Sequence, residues 1–265
     1  MKWPNTVSFI RHGESAYNLL RQNKHKNPLY QEFTERFDKE FAKAEDHSWV
    51  SPELKGMAQE LFADLKLDVS DYGTSLTETG REQAEKTGRR LLELIPVVPD
   101  VIFVSPYLRT RQTLEGLMRG CPALKEVKIV SEERIREQEH GLSTVYNDWR
   151  VYLALNPVQG LLFKLEGDYE YRFLNGENKA DVRDRARSFL ATLVREYSGK
   201  NALIVSHHLT LLAMRSNLER WDREQFIQAN EEDRPINCGV TIYRGDPAKG
   251  SEGHLVLDKY NVKLY

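Results

Sequence analysis

The stretch Val7-Ser8-Phe9-Ile10-Arg11-His12-Gly13-Glu14-Ser15 decides the fold. β-branched and aromatic residues that stop at a glycine are typical of a strand feeding a tight turn, and open α/β sheets bind ligands at the carboxyl ends of their strands. An arginine presents a planar fork of donors to phosphate, and a neutral imidazole can attack a phosphoryl group. Arg11 and His12 therefore predict phosphoryl chemistry at the end of a first strand.

The composition is that of a globular chain of 265 residues, with 40% hydrophobic and 29% charged residues, which predicts one α/β domain, or one domain with an insertion. The net charge of -2 argues against nucleic-acid and membrane binders, because these carry a strongly basic face. Cys121 and Cys238 imply neither a disulfide framework nor a zinc pattern. No apolar run approaches the roughly 20 residues of a membrane span, and the N-terminus lacks a signal-peptide apolar region. We expect a cytoplasmic protein and leave its oligomeric state open.

Short β-type runs alternate with helical patterns along the chain. The first four runs are residues 6–10, 101–104, 127–130 and 202–205. Their alternation with helices predicts a mainly parallel sheet with helices on its faces. The helix candidates are residues 77–94, with Ala84, Leu91, Leu92 and Ile95 as the apolar face, and residues 107–118, 180–197 and 209–218. Two last runs, 240–243 and 254–257, are joined by a glycine-rich turn and predict an antiparallel edge.

Residues 21–75 form an excursion that is longer than an ordinary connection between a strand and a helix. Phe33, Phe37 and Phe41 recur every four residues, and Ser51-Pro52 supplies an N-cap and a first-turn proline to a second apolar run. That run comprises Leu54, Met57, Ala58, Leu61, Phe62 and Leu65. We predict two amphipathic helices that bury a small satellite core. The same helices can also cap the active site, where the basic candidates for the substrate are Arg21, Lys24, His25 and Lys26.

The segment 105–113, SPYLRTRQT, follows the second strand and predicts a turn into a helix. Arg109 then lies in the first turn of that helix, where it can reach back toward an anion held at the strand ends. Arg111 is assigned to a surface ion pair, because residues two apart do not share a helix face. The alternative for either arginine is a solvated helix surface.

The segment 135–141, IREQEHG, follows the third strand and offers carboxyl groups near the predicted site. A carboxylic acid held close to a departing alkoxide can protonate it. Glu137, Glu139 and His140 are all candidates for this acid, and spacing alone does not choose among them. A charged loop that is merely solvated is the alternative.

His207 ends the fourth apolar strand, as His12 ends the first. Beside His12, it would donate a hydrogen bond to phosphate oxygens while His12 attacks. The alternative is a buried structural histidine, which would need a partner for its ring donor. His208 is expected to be exposed or to support the site from behind.

Taken in order, these segments resemble the motifs of the histidine phosphatase superfamily, also called the phosphoglycerate mutase-like superfamily. RHGESAYN is similar to its RHGxSxxN, SLTETG to its LTxxG, SPYLRTRQT to its SPxxRxxQT and VSHH to its VSHG. IREQEHG resembles its acid loop, and NGENKADVRDR resembles its GES segment. The resemblance covers most of the chain. It implies a three-layer α/β sandwich with a mainly parallel central sheet, in which residues 1–265 form one domain with a cap-like helical insertion at about 21–75.

The resemblance also implies roles for individual residues. The catalytic candidates are His12, Glu137 and His207. The candidates for binding phosphate are Arg11, Ser15, Asn18, Arg109 and His208. His12 would be the nucleophile that forms a phosphohistidine, and Glu137 would be the general acid and then the base for water, because the family's acid lies four residues before the loop glycine, here Gly141. No metal and no cofactor are implied.

The function implied is a metal-independent phosphatase that hydrolyses a small phosphate monoester. A monoester carries a charge of about -1.5 to -2, which two arginines roughly neutralise. His208 and Asn178 stand where the family has glycine and serine, and the substrate segment of the true mutases is absent from 142–176; these departures favour a phosphatase. One alternative is a cofactor-dependent phosphoglycerate mutase. Another is a non-catalytic phosphate-site scaffold that binds protein partners through the Phe33, Phe37 and Phe41 helix.

Overall fold

The computed structural model describes residues 2–66 and 69–265. Met1, and Leu67 and Asp68 within the predicted insertion, lie outside the described residues. The chain divides into two compact units. The first takes in the residues up to Ala16 together with Tyr72–Gln138 and Asp181–Tyr265, and the second takes in Tyr17–Asp71 and Glu139–Ala180. The second unit thus begins at Tyr17, before the insertion predicted at 21–75, and it also includes the later stretch Glu139–Ala180.

The described part of the first unit contains one sheet of six strands. In chain order they are β1 (Thr6–Arg11), β2 (Val101–Val104), β3 (Lys128–Ser131), β4 (Asn201–Ser206), β5 (Val240–Asp246) and β6 (His254–Val262). Their order in the sheet is β3-β2-β4-β1-β5-β6. The pairs β1/β4, β2/β4 and β2/β3 are parallel, whereas β1/β5 and β5/β6 are antiparallel. The predicted mainly parallel sheet with an antiparallel edge is confirmed.

Ten α-helices lie in the described residues, several of them started by a side-chain cap. They are α1 (Ala16–Lys24), α2 (Pro28–Ala42), α3 (Pro52–Leu65), α4 (Glu78–Leu94), α5 (Leu108–Gly120), α6 (Trp149–Leu155), α7 (Pro157–Glu170), α8 (Lys179–Glu196), α9 (His208–Glu219) and α10 (Arg223–Glu232). Side-chain oxygens of Asn27, Ser51 and Thr77 accept backbone N–H bonds of 2.9, 3.1 and 3.0 Å at the starts of α2, α3 and α4. Each cap satisfies a donor that the helix itself leaves unpaired.

Alternating side chains of β2 show that helices cover both faces of the sheet. Ile102 and Val104 pack in one apolar cluster with Leu91 of α4 and residues of α5. Phe103 points the other way, and its ring centroid lies 5.1 Å from that of Phe189 on α8. The α/β layering implied by the sequence is therefore confirmed.

One residue of the predicted apolar face of α4 is misplaced. Ala84 and Leu91 are fully buried, and Ile95, the C-cap, is 6% exposed. Leu92 is 38% exposed, so its predicted burial is wrong. With 3.6 residues per turn, one step from Leu91 turns the side chain by about 100°, which carries Leu92 off the buried face.

The second unit has its own core, built largely from aromatic side chains. Phe33 and Phe37 of α2 are fully buried, and they pack with Leu54, Ala58 and Leu61 of α3 and with residues of α6. The ring centroid of Phe37 lies 5.2 Å from that of Phe41, and 5.6 and 5.5 Å from those of Trp49 and Trp149. The two predicted amphipathic helices and their satellite core are present. Their role as a cap stays a prediction.

Cys121 and Cys238 are both buried and free. Across residues 2–66 and 69–265, no three His, Cys, Asp or Glu side chains are grouped so that they could hold a metal ion. No helix in this part of the chain is long and apolar enough to cross a bilayer.

The turn that follows β1 depends on a close approach of two glycines. A Cβ on Gly80, in the first turn of α4, would stand 2.0 Å from the carbonyl oxygen of Glu14. A Cβ on Gly13 would stand 2.5 Å from the carbonyl oxygen of Gly80. The backbone N–H of Thr77, the N-cap of α4, donates to the same Glu14 oxygen at 2.9 Å. The start of α4 therefore fixes the turn that carries His12.

We expect Gly80→Ala to lower the thermal unfolding temperature. The added methyl group must displace the Glu14 backbone, and overpacking of this kind costs about 1–3 kcal/mol. Gly56→Ala in α3 is the matched control, because nothing lies within 4 Å of a Cβ there and alanine is better than glycine inside a helix by about 1 kcal/mol. Thermal unfolding of both variants should show opposite shifts; a Gly80→Ala protein as stable as the parent would contradict the close approach.

Candidate active site

The parallel pairing of β1 with β4 brings the two strand-end histidines together. Arg11 is aligned with Ser206 at the ends of the two strands, and the backbone N–H of His12 donates to the Ser206 carbonyl at 2.9 Å. His12 and His207 follow directly, and their ring centroids lie 5.2 Å apart. His12 is 3% exposed and His207 is fully buried. The predicted juxtaposition of the two imidazoles is present.

The hydrogen bonds of His12 define which ring nitrogen can react. Its Nδ1 lies 2.7 Å from the Gly13 carbonyl oxygen. Because a carbonyl oxygen only accepts, Nδ1 carries the proton and Nε2 keeps its lone pair. The Nε–H of Arg109 donates to this Nε2 at 3.3 Å. His12 is thus oriented so that its unprotonated Nε2 lies against the Arg109 guanidinium.

Two guanidinium groups govern the charge of this centre. Arg109, in the first turn of α5, is 4% exposed, whereas Arg111 is exposed. Arg11 donates from Nη1 to the Pro235 carbonyl at 2.7 Å. Burial, followed by the charges of Arg109 and Arg11, holds the pKa of His12 well below its usual value. Both imidazoles are therefore neutral, since burial and Arg109 also lower the pKa of His207.

His207 is held by a serine that ends the neighbouring strand. Its Nε2 lies 2.8 Å from Oγ of Ser105, and its ring packs against Tyr107, 5.0 Å away between centroids. Its Nδ1 is buried and has no hydrogen-bond partner among the described residues. Leaving a buried ring nitrogen unpaired costs about 1–3 kcal/mol. A ligand oxygen that hydrogen-bonds to this nitrogen would remove that cost.

The carboxylate of Glu137 lies close to the first residues of α9, the helix whose N-cap residue is His207. Its Oε1 accepts from the N–H of Gln138 at 3.1 Å, and its Oε2 lies 3.5 Å from the N–H of Leu209. Glu137 shares the first unit with both histidines, whereas Glu139 and His140 belong to the second unit. Burial lowers the pKa of His140 to about 4, so it is neutral near pH 7. Of the three acid candidates, Glu137 alone thus shares a unit with His12, Arg109 and His207.

The order and geometry of these residues agree with a family match. The family described as the histidine phosphatase superfamily (branch 1) matches residues 66–252. The chain belongs to this superfamily.

Two curated relatives are similar to the chain in sequence, and a solved structure is similar to it in fold. The phosphoglycerate mutase-like protein AT74 of Arabidopsis thaliana is 35% identical over 188 residues, which are 65% of this chain and 56% of that protein. Phosphoserine phosphatase 1 of Hydrogenobacter thermophilus is 27% identical over 159 residues, 57% of this chain and 67% of that protein. The structure of a mycobacterial glucosyl-3-phosphoglycerate phosphatase matches with a TM-score of 0.61 and 16% identity, covering 98% of this chain and 99% of that one. This last likeness shows the fold alone, and the chain spans little more than half the length of AT74.

The remaining superfamily residues predicted to bind phosphate lie in different surroundings. Ser15 is buried and forms an isolated antiparallel bridge with Leu76, which makes it part of the turn after β1. His208 is half-buried at the start of α9, and its charge helps to lower the pKa of His12. Asn18 is half-buried on α1, in the second unit. Phosphate contacts by these three residues stay predictions.

Lys24 is a core residue of the second unit rather than an exposed basic group. Its Nζ lies 2.6 Å from Oδ2 of Asp148, and the hydroxyl of Tyr30 donates to the same oxygen at 2.6 Å. Although burial acts to raise it, the pKa of Asp148 is lowered by the Lys24 ammonium and these hydrogen bonds. The expectation that Lys24 could reach a substrate from the insertion is therefore wrong. Arg21, His25 and Lys26 are exposed.

Ser105 and Thr113 bind residues of the candidate site, although the sequence alone assigns them no role. Ser105 binds His207, and Thr113 accepts from the Gly13 N–H at 3.0 Å while donating to the Arg109 carbonyl at 2.7 Å. Thr113 thus ties the His12 turn to the helix that carries Arg109. Ser105 directly follows the apolar run of β2, and this place at a strand end is the sequence signal that could have found it.

We expect both site imidazoles to titrate well below the ordinary histidine pKa of about 6.5, since burial and the Arg109 charge lower the pKa of each. Nitrogen-15 NMR of histidine-labelled protein reads the protonation state directly. Arg109→Met should move the pKa of His12 upward, because it removes the largest cause of the lowering after burial. The matched control is Arg111→Met, two residues along the same helix and exposed, which should leave the titration unchanged. A His12 midpoint at 6.5 or above in the parent protein would contradict this picture.

Proposed function

We propose that this superfamily member is a phosphatase that hydrolyses phosphate monoesters through a covalent phosphohistidine on His12. The observation that carries the proposal is the state of His12. Its Nδ1 is held by the Gly13 carbonyl, and its Nε2 lone pair faces the Arg109 guanidinium. A neutral, oriented imidazole beside fixed cations is what nucleophilic attack on a phosphoryl group requires.

In the binding step, the phosphate dianion meets Arg11, Arg109 and His207. Two guanidiniums balance a charge of about -1.5 to -2. The Nε–H of Arg109, which donates to His12 in this structure, turns to a phosphate oxygen and releases the Nε2 lone pair. When the Oγ–H of Ser105 donates to Nε2 of His207, the unpartnered Nδ1 carries a proton and donates it in a hydrogen bond to phosphate. This hydrogen bond gives the buried nitrogen its partner and stabilises charge on the equatorial oxygens.

In the chemical steps, Nε2 of His12 forms a bond to phosphorus as the ester P–O bond breaks. Glu137, protonated, gives its proton to the departing alkoxide, which leaves as an alcohol. The Glu137 carboxylate then takes a proton from water as the water oxygen attacks phosphorus. The P–N bond breaks, inorganic phosphate leaves, and both residues return to their starting states.

A phosphoglycerate mutase would use the same centre and return the phosphoryl group to an organic hydroxyl instead of water. The likeness to AT74, described as phosphoglycerate mutase-like, keeps this second function open. Two sequence features support the phosphatase: His208 stands in place of the glycine of the superfamily's VSHG motif, and Asn178 in place of the serine of its GES segment. A scaffold without activity has less support, because binding an anion would not call for an acid such as Glu137 beside the arginines.

We expect a brief incubation with a phosphorus-32-labelled monoester, followed by an alkaline quench, to leave label on the protein. That label should be stable to alkali, lost in acid and located on His12. His12→Ala should lose the label and about three orders of magnitude or more of phosphatase activity, since the nucleophile is gone. His47→Ala, an exposed histidine between α2 and α3, is the matched control and should behave as the parent. Hydrolysis by His12→Ala at the parent rate would refute the mechanism.

A phosphatase and a mutase differ in whether the phosphoryl group is transferred to water or to an organic hydroxyl. We expect the parent protein to release inorganic phosphate from 3-phosphoglycerate or from other small monoesters faster than it exchanges 3- and 2-phosphoglycerate. Both products are measured with and without added bisphosphoglycerate. If exchange stimulated by bisphosphoglycerate is faster than phosphate release, the protein is a mutase. If phosphate release is faster, its rates on a panel of phosphorylated metabolites rank the substrates.

A further inference from the structure

The backbone carbonyls of the segment that carries Glu137 accept hydrogen bonds from three side chains outside the segment. Arg185 of α8 donates from Nη1 to the carbonyl oxygens of Arg134 and Arg136 at 2.8 and 2.7 Å, and from Nη2 to that of Glu137 at 3.1 Å. The Ser206 hydroxyl donates to the Ile135 carbonyl at 2.7 Å, and the Thr210 hydroxyl to the Arg136 carbonyl at 2.5 Å. Four consecutive carbonyls, 134 to 137, are thereby fixed by three residues.

Arg185 makes three of these five bonds, and one of them is to the Glu137 carbonyl itself. Its planar fork matches several acceptors at once, which a lysine ammonium cannot do with the same geometry. Charge-assisted hydrogen bonds of this kind are roughly twice as strong as neutral ones. The segment itself has only a short 3₁₀ turn, Glu133–Ile135, before Glu137. The regular backbone ladder of a strand or a long helix is therefore not what sets the Glu137 position.

We propose that Arg185 is a positioning residue for the general acid: its guanidinium holds the 134–137 backbone so that the Glu137 carboxyl meets the leaving-group oxygen. The inference rests on the proposed function, because it presumes that Glu137 protonates that oxygen. Misplacement of a reacting group by about 1 Å can cost a hundredfold in rate. The Arg185 charge also contributes, after burial, Arg109 and His12, to the low pKa of His207, which agrees with its place beside the centre.

The experiment compares two substrates that differ in their need for an acid. An alkyl phosphate releases a basic alkoxide that must be protonated, whereas p-nitrophenyl phosphate releases a weakly basic phenolate that departs without help. The constant kcat/KM is the readout, because it includes steps only up to departure of the leaving group and excludes hydrolysis of the phosphoenzyme. Arg185→Met, Arg185→Lys and Glu137→Gln are measured beside the parent. Thermal unfolding and the inhibition constant of inorganic phosphate are recorded for each.

We expect Arg185→Met to lower kcat/KM for the alkyl phosphate about 10- to 100-fold and for p-nitrophenyl phosphate by less than about threefold, with phosphate inhibition unchanged. Glu137→Gln should show the same selectivity with a larger loss, about 10²- to 10⁴-fold. Combining the two substitutions should add little to the Glu137→Gln loss, since both act through one carboxyl. Arg187→Met is the matched control, because Arg187 lies on the same helix in an exposed pair with Asp184; it should match the parent on both substrates.

The outcomes separate this inference from the proposed function. If Glu137→Gln is selective for the alkyl phosphate and Arg185→Met is not, the positioning role is refuted and the proposed acid stands. Equal losses on both substrates by Arg185→Met, with a lower unfolding temperature, would show a structural role only and also refute it. If Glu137→Gln has no selectivity, the acid assignment fails and the inference with it. Should Arg185→Met not fold, Arg185→Lys decides: a selective partial loss supports the role, and parent-like behaviour or equal losses refute it.

Discussion

The parallel register between β1 and β4 is the constraint on which the candidate site depends. Arg11 faces Ser206 across the ladder, so His12 and His207 leave the sheet at the same level. A slip of one residue would turn each side chain to the opposite face, and a slip of two would separate the histidines by about 6.6 Å along the strands. Pairing of β2 with β4 adds Ser105 to this edge, and the helix after β2 adds Arg109. One register thus assembles groups that lie almost 200 residues apart in the chain.

In the proposed mechanism, Arg11 and Arg109 act both on the phosphate and on the protonation of the two histidines. In that mechanism they attract a phosphate dianion. They also favour the unprotonated state of His12 and His207, since burial and the Arg109 and Arg11 charges lower the pKa of both rings. A protonated imidazole would bind phosphate more tightly, yet it would have no lone pair with which to attack. Because the phosphate brings its own negative charge, it favours protonation of His12, and the guanidiniums oppose this. Under the proposed mechanism, the cations would therefore keep the Nε2 lone pair of His12 available for attack when the substrate is present.

The sequence predicts the elements that have a simple period and misses those that do not. The strands and α4, α5, α8 and α9 were predicted because each is an apolar run or an amphipathic repeat bounded by a turn. In α6, Val151, Tyr152, Leu153 and Ala154 are all buried, so no polar face reveals a helix, and the helix was not predicted. The strand-end residues of the site followed from the rule that ligands bind there. Lys24 could not be placed, because its partner Asp148 is distant in sequence.

The way in which the segment of Glu137 is held explains why the sequence of that segment does not reveal its partners. Backbone carbonyls at 134 to 137 are the same for any amino acid, so the bonds from Arg185, Ser206 and Thr210 leave no pattern in that segment itself. Two of these donors, Ser206 and Thr210, flank His207 in sequence. Any shift of β4 or α9 that moves His207 therefore moves the segment of Glu137 with it. The shared donors thus link the positions of His207 and Glu137, and the proposed mechanism requires such a link because it uses the Glu137 carboxyl in both halves of the hydrolysis.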